Sequence, residues 1–190
     1  MSSHHIVREN QEPALFIVDS TALSTKYLNQ LLEWSPTLIS TSSQYDILRS
    51  REIKVDVILD NQQFPADLLE ENITVIPYTT SCLNSLFTYL REKKNFAVNI
   101  VTDEPDGEKY LSYLSEFVVI LLNGSRKILM VKKYEKWLPK GFSLIIERFK
   151  GDYSKLINLQ HAEGNEFHVK EDGFICIPEQ EDYLFISEEI

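Results

Sequence analysis

Glycine is scarce, with six residues in 190, at positions 107, 124, 141, 151, 164 and 173. None of them composes G-x-G-x-x-G or a Walker loop, which excludes the two common glycine-cradled phosphate motifs. Histidine is equally thin: His4 and His5 near the start, His161 and His168 far along the chain. No serine or cysteine stands at a G-x-S-x-G elbow, and no Cys/His set has zinc spacing, so neither a hydrolase triad nor a zinc centre is expected. Cys82 and Cys176 are the only cysteines. That is far below the density of a secreted disulfide scaffold, and a reduced, cytoplasmic setting is expected. Excess basic charge is missing too: 19 Lys and Arg face 29 Asp and Glu, a formal net charge of −10. Without a basic stripe to displace counterions, nucleic acid is excluded as a partner. The densest basic patch, Arg126 to Lys136, is interrupted by strand-like Ile128 to Val131. No apolar run matches the length needed to cross a bilayer, Phe117 to Leu122 being among the longest. No signal peptide and no membrane partner are expected.

Hydrophobic residues at 43% and charged residues at 25% are ordinary globular values, so a folded chain is the expectation. Polar Met1 to Gln11 reads as a frayed lead-in, its histidine pair as solvated. Beyond it, Ala14 to Val18, Thr37 to Ser40, Val55 to Leu59, Ile73 to Ile76, Phe96 to Val101 and Phe117 to Leu122 read as buried strands. Helical spacing lies between them: Tyr27, Leu28, Leu31 and Leu32; then Leu83, Leu86, Phe87 and Leu90; then Tyr110, Leu111 and Leu114. Start signals agree, with Ser43 and Asp46 at capping-box spacing, Pro65 suited to a first helical position, and Thr80 or Ser81 placed to cap the second helix. Such alternation predicts an α/β fold, a mostly parallel sheet flanked by helices.

The pattern changes after Leu122. Asn123-Gly124 and Asp172-Gly173 each separate two strand-like runs, a hairpin signal because such turns need positive φ. Phe142 to Ile146, Leu156 to Leu159 and Tyr183 to Ile186 are further strand candidates, and helical periodicity is absent. The expected organisation is a lead-in over 1–13, an α/β domain over 14–136 and a small all-β domain over 137–190, with the boundary near Trp137 to Gly141. A unit of that last size sits near the limit of independent stability and is expected to pack on the first domain or on a second subunit.

Carboxylates are the chemistry on offer. Asp19, Asp60 and Asp103 follow the first, third and fifth predicted strands, and ligands of open α/β sheets bind beyond the carboxyl ends of strands. Three acids there are candidate Mg²⁺ ligands. The plainer alternative is that Asp opens turns and favours helix N-termini, as Asp103, Glu104, Asp106 and Glu108 do if a helix follows. Thr80 and Ser81, opening the Leu83–Leu90 helix, are candidates for binding an anion through the first turn, or simple caps.

The order and spacing of these elements resemble the thiamine pyrophosphokinase family. Lys54-Val55-Asp56-Val57-Ile58-Leu59-Asp60 looks like that family's P-D-x-I-x-G-D strand. Ser81-Cys82-Leu83-Asn84 lies where T-D-L-E follows in D-K-T-D, and Leu138-Pro139-Lys140-Gly141 is similar to the L-P-x-G run before the family's C-terminal sandwich. The match spans about residues 14 to 146 and lies in strand order more than in motifs. It implies an α/β domain joined to a β-sandwich, a homodimer, and Mg²⁺-dependent transfer of a pyrophosphoryl group from ATP to thiamine. The motifs themselves are eroded. Leu59 stands for the motif's Gly, Gln62 and Gln63 for its second Asp and its Ser, and Cys82 for the Asp of T-D; Asp106 to Tyr110 holds neither the expected Arg nor His. Phosphoryl transfer depends on placed cations, and an amide such as Gln62 supplies no charge to hold them.

Three functions compete on this reading. One is a pseudoenzyme that keeps the fold and homodimer and binds a thiamine-like molecule or a nucleotide in the old cleft, with no catalytic residue assigned. The second is an active kinase using Mg²⁺ and ATP at a rearranged site of Asp19, Asp60 and Asp103. The third is a non-catalytic interaction protein using the acidic stretch Glu179 to Glu189, for which a solvated strand edge is the plainer account.

Overall fold

Helices and loops long enough to carry the chain back to the same sheet edge make the first strands parallel. A computed structural model of the protein describes residues 12–61 and 72–190. Its first six strands are β1 (Ala14–Ile17), β2 (Leu38–Thr41), β3 (Val57–Asp60), β4 (Thr74–Pro77), β5 (Ala97–Val101) and β6 (Val118–Asn123). They lie in the order β6-β5-β1-β2-β3-β4, with every neighbour parallel. Successive side chains point to opposite faces. Phe16, Ile39, Leu59 and Ile100 therefore share one core with Leu86, Phe87 and Leu90 of α3 (Cys82–Glu92). Leu15, Ile17, Leu38 and Ile58 share the other with Leu28 of α1 (Thr25–Leu32) and Tyr45 and Leu48 of α2 (Ser42–Ser50).

Local signals behave unevenly. Ser81 Oγ accepts the Asn84 amide at 3.3 Å and caps α3. The expected Ser43/Asp46 capping box does not form. Strand β2 runs straight into α2, so Thr41 is the N-cap, without a side-chain cap bond, and Ser43 falls inside the first turn with its Oγ 3.0 Å from Thr41 Oγ1. Tyr110 and Leu111 lie in a 3-10 helix, Gly107–Tyr113, and not in an α-helix. Pro65 lies outside the described residues.

The expectation of a mostly parallel sheet is corrected beyond β6. Gly124, at φ 58°, reverses the chain in a tight turn, and a tight turn can only join antiparallel strands. The later strands are β7 (Arg126–Val131), β8 (Tyr134–Leu138), β9 (Ser143–Glu147), β10 (Leu159–His161), β11 (Glu166–Val169), β12 (Gly173–Ile177) and β13 (Leu184–Glu189). Five of them extend the same sheet in the order β10-β11-β9-β13-β7, beside β6, while β12 pairs with β8 in a second layer. Across the described strands, six ladders are antiparallel and five parallel. The sheet is mixed. Leu144, Ile146, Phe167 and Ile186 pack against Tyr134, Leu138, Ile175 and Ile177 of the second layer.

Asp172-Gly173 is likewise not a hairpin. Both edges of β11 are occupied, by β9 and β10, so β12 crosses to the other layer and pairs with β8. The predicted strand Leu156 to Leu159 is displaced: a 3-10 turn occupies Tyr153–Lys155 and β10 begins only at Leu159.

The acidic stretch Glu179 to Glu189 is solvated at Glu179, Glu181, Asp182 and Glu189, but its strand is not an edge. Strand β13 sits between β7 and β9, and Glu188 is 1% exposed. The Tyr134 hydroxyl donates a short hydrogen bond to its carboxylate, Lys136 Nζ lies 2.5 Å from Oε2 and Lys127 Nζ 3.4 Å. Burial pushes the Glu188 carboxyl up, but the bonds from Lys136 and Tyr134, with the lysine charges, outweigh it and hold the group below its usual range.

A carboxyl depressed in the folded state stabilises fully above its unfolded value, about 4.3, and less as pH falls below it. Glu188→Ala should cost about 2 kcal/mol at pH 7, since it takes the acceptor from a buried phenol and the partner from two partly exposed lysines. Denaturant unfolding followed by circular dichroism should show the gap from the wild-type chain narrowing at pH 3.5; a gap independent of pH would contradict the charge network.

Candidate functional site

Strand β1 is flanked by β2 on one side and β5 on the other, so the connections diverge at its carboxyl end. Open α/β sheets form ligand crevices at such switch points. A cleft of about 300 Å³ occupies this place. Phe16 and Val18 from the end of β1, and Thr102 after β5, lie on its sheet side. Tyr78, just after β4, and Cys82 and Leu83, from the first turn of α3, form one wall. Asp103, Glu104, Lys109 and Tyr110 form the other.

Side-chain bonds hold the second wall. Asn123 Nδ2 donates to the carbonyls of Thr102 and Asp103 at 2.8 and 3.2 Å, and Thr102 Oγ1 accepts the Glu104 amide at 3.2 Å. Asp106 Oδ1 accepts the Glu108 amide at 3.0 Å, which caps the 3-10 helix carrying Lys109 and Tyr110.

The lining is largely uncharged. Burial pushes the Tyr110 phenol up to about 12, helped by the charge of Asp106 and by Cys82. Burial likewise raises the Cys82 thiol to about 11, against an opposing hydrogen bond from Tyr78. The Tyr78 phenol is raised by burial, then by Cys82 and Asp60. All three are neutral at pH 7. Lys109 is the lining cation among the described residues, and its Nζ already stands 3.5 Å from Glu104 Oε2 and 4.0 Å from Asp106 Oδ2.

The three predicted acids reach the same sheet edge but not one point. Asp103 lines the cleft and is exposed. Asp19 closes its own turn, Oδ1 accepting from the Thr21 amide and hydroxyl, each at 2.7 Å. Asp60 is buried at 4% exposure, its carbonyl accepting the Tyr78 amide at 2.8 Å. Among the described residues no three His, Cys, Asp or Glu side chains gather closely enough to hold a metal ion. Ser81 serves as the α3 cap and Thr80 is exposed; neither lines the cleft, though the next residues, Cys82 and Leu83, do. Gln62, Gln63 and the His4–His5 pair lie outside the described residues. Among described helices none is long and apolar enough to cross a membrane.

Sequence reasoning misses Tyr78, Thr102, Lys109 and Tyr110 as site residues. Thr102 directly follows a predicted strand, as Asp60 does, and Tyr78 stands two residues past one, as Asp103 does, so a signal for them exists. Tyr110 reads as core, and it is both core and wall.

Solved structures share this architecture. Thiamine pyrophosphokinase from Bacillus subtilis matches with a TM-score of 0.62 at 10% identity, covering 94% of this chain and 99% of that chain. A Lactobacillus plantarum protein matches at 0.67 and 6%, over 94% and 99%. Thiamin pyrophosphokinase from Candida albicans matches at 0.55 and 10%, over 94% and 89%. The fold is therefore thiamine pyrophosphokinase-like. No family model and no curated protein matches the sequence.

The raised thiol has a measurable consequence. At pH 8 a thiol of pKa about 11 is roughly two hundred-fold poorer in thiolate than an ordinary cysteine of about 8.5. In a Cys176→Ser background, Cys82 should react with 5,5′-dithiobis(2-nitrobenzoate) about twenty times more slowly than free cysteine, the scarcity of thiolate being partly offset by the greater nucleophilicity of a more basic one. Labelling at the free-thiol rate would show that the cleft wall is not buried.

Proposed function

We propose that this thiamine pyrophosphokinase-like chain is a non-catalytic small-molecule binder, whose cleft takes a flat aromatic compound that is neutral or positively charged. The observation that carries this is the lining. Phe16, Tyr78, Leu83 and Tyr110 offer apolar and aromatic surface, while Asp103 and Glu104 give the mouth a negative sign. Aromatic faces and carboxylates attract a cationic ring. A triphosphate meets the opposite conditions. Its transfer needs cations placed around the phosphates, and Lys109 is already engaged by Glu104 and Asp106. The eroded motifs support the same reading, since Cys82 brings no charge where the resembling family has Asp.

Thiamine, an aromatic cation and the substrate in the names of the structural neighbours, is the first probe. At ten times its dissociation constant it should stabilise by about 1.4 kcal/mol, and so raise the unfolding midpoint by about 3 to 5 °C. Tyr110→Ala should remove that rise, and ATP with Mg²⁺ should produce none. Chromatography after incubation with thiamine, ATP and Mg²⁺ should find no thiamine diphosphate above the protein-free control. Product that forms with the wild-type chain and is lost in Asp60→Asn would overturn the proposal in favour of an active enzyme.

A further inference from the structure

Gly107 opens the 3-10 helix that brings Lys109 and Tyr110 to the cleft, yet its φ is not in the left-handed region. The need for glycine comes from across the sheet. A Cβ at position 107 would stand 2.8 Å from Cε2 and 2.9 Å from Cζ of Phe185, on β13, closer than carbon atoms approach without displacement. The ring has little room to yield. It is 5% exposed, and the Arg148 guanidinium lies 5.2 Å from its centroid.

Arg148 and Tyr183 tie down the rest of the segment. Arg148 forms a short ion pair with Glu108, and its Nε donates to the Tyr183 carbonyl at 3.1 Å. The Tyr183 hydroxyl donates to the Leu114 carbonyl at 2.8 Å. Residues 107 to 114 are thus held at both ends by residues in and just before β13. Their other side meets α3: the Tyr113 ring stacks on Phe87 at 3.9 Å, and its hydroxyl bonds Asn84. Between these attachments Tyr110 faces the cleft wall that contains Cys82.

We infer that β13 sets the width of the cleft: Phe185, seated against Gly107, places the 3-10 helix so that Tyr110 stands opposite Cys82, and displacing that contact widens the gap between the two walls. The consequence for ligands rests on the reading of the cleft given above; the coupling itself does not. It links the antiparallel half of the sheet to a pocket built at the ends of the parallel strands, through contact and not charge alone.

Cys82 is a native reporter of that wall, and its labelling needs no ligand, so this test can fail while thiamine binding stands, or the reverse. In the full chain carrying Cys176→Ser, Gly107→Ala should speed modification of Cys82 by 5,5′-dithiobis(2-nitrobenzoate) about ten-fold, because the added methyl must push the helix or the ring aside. Adding Phe185→Leu, which removes the two nearest atoms the methyl meets, Cε2 and Cζ, should bring the rate back to within about two-fold of the parent. A folded Gly107→Ala chain with an unchanged Cys82 rate would overturn the inference, as would a double variant that stays fast. Should Gly107→Ala not fold, Glu108→Gln gives the second test. Loss of the exposed pair with Arg148 should raise the rate severalfold while the far-ultraviolet spectrum stays the same, and no change in rate would equally refute the coupling.

Discussion

Insertion of β13 between β7 and β9 is the constraint on which both halves depend. The strand is antiparallel to each neighbour, from Leu184 opposite Val131 to Glu188 opposite Leu144. Its alternating side chains supply two cores at once: Leu184 and Ile186 enter the sandwich with the second layer, while Phe185 enters the core shared with α3. Without it, β9, β11 and β10 would have no ladder to β7 and the sheet would be cut in two. Placed there, it leaves the eleven-stranded sheet with β4 and β10 as its edges among the described strands, and both are short. Glu188 fits the same logic. A carboxylate carried by a central strand must be paired, and Tyr134 and Lys136 descend from the second layer to pair it.

The cleft inherits its character from this packing. Its walls are the ends of elements whose bodies are core: Phe16, Tyr110 and, at the margin, Leu83 and Cys82 all belong to or pack against the same apolar cluster. Groups so placed are desolvated before any ligand arrives, which is why two phenols and a thiol titrate high. The carboxylates that do reach the mouth, on Asp103 and Glu104, stand on the exposed turn and keep their solvent. An apolar slot with an acidic lip results.

Periodicity decides how much of this is legible in the sequence. A run such as Phe117 to Leu122 announces a buried strand, and Asn123-Gly124 announces the reversal after it, because each is a local energetic requirement. Neither says which neighbour a strand will find. That is why Asp172-Gly173 looks like a hairpin: the competition for the edges of β11, already held by β9 and β10, is a long-range fact. Within the acidic stretch Glu188 misleads for the same reason, since composition cannot reveal that Lys127 and Lys136 converge on it. Strand order is the legible part of the site as well. It locates the sheet edge, and with it Asp103, but attention to charge passes over the uncharged residues, Tyr78 and Thr102, that stand just after strands and line the cleft.

The positions where this chain departs from the resembling motifs bear on why fold and chemistry can part. Leu59, standing where the motif has glycine, is fully buried in the α3-side core. Burying such a side chain contributes about 2 kcal/mol that glycine cannot supply. Cys82, standing where the motif has aspartate, packs against the same core with its thiol kept neutral. A carboxylate at that depth would need a compensating cation to be tolerated. The second replacement exchanges a group suited to holding ions for one suited to packing, where the cleft meets the core, and the first adds apolar packing to that same core. On the proposed reading, apolar packing at the strand ends and loss of phosphate chemistry are one change, because the same few side chains cannot be both dry and charged.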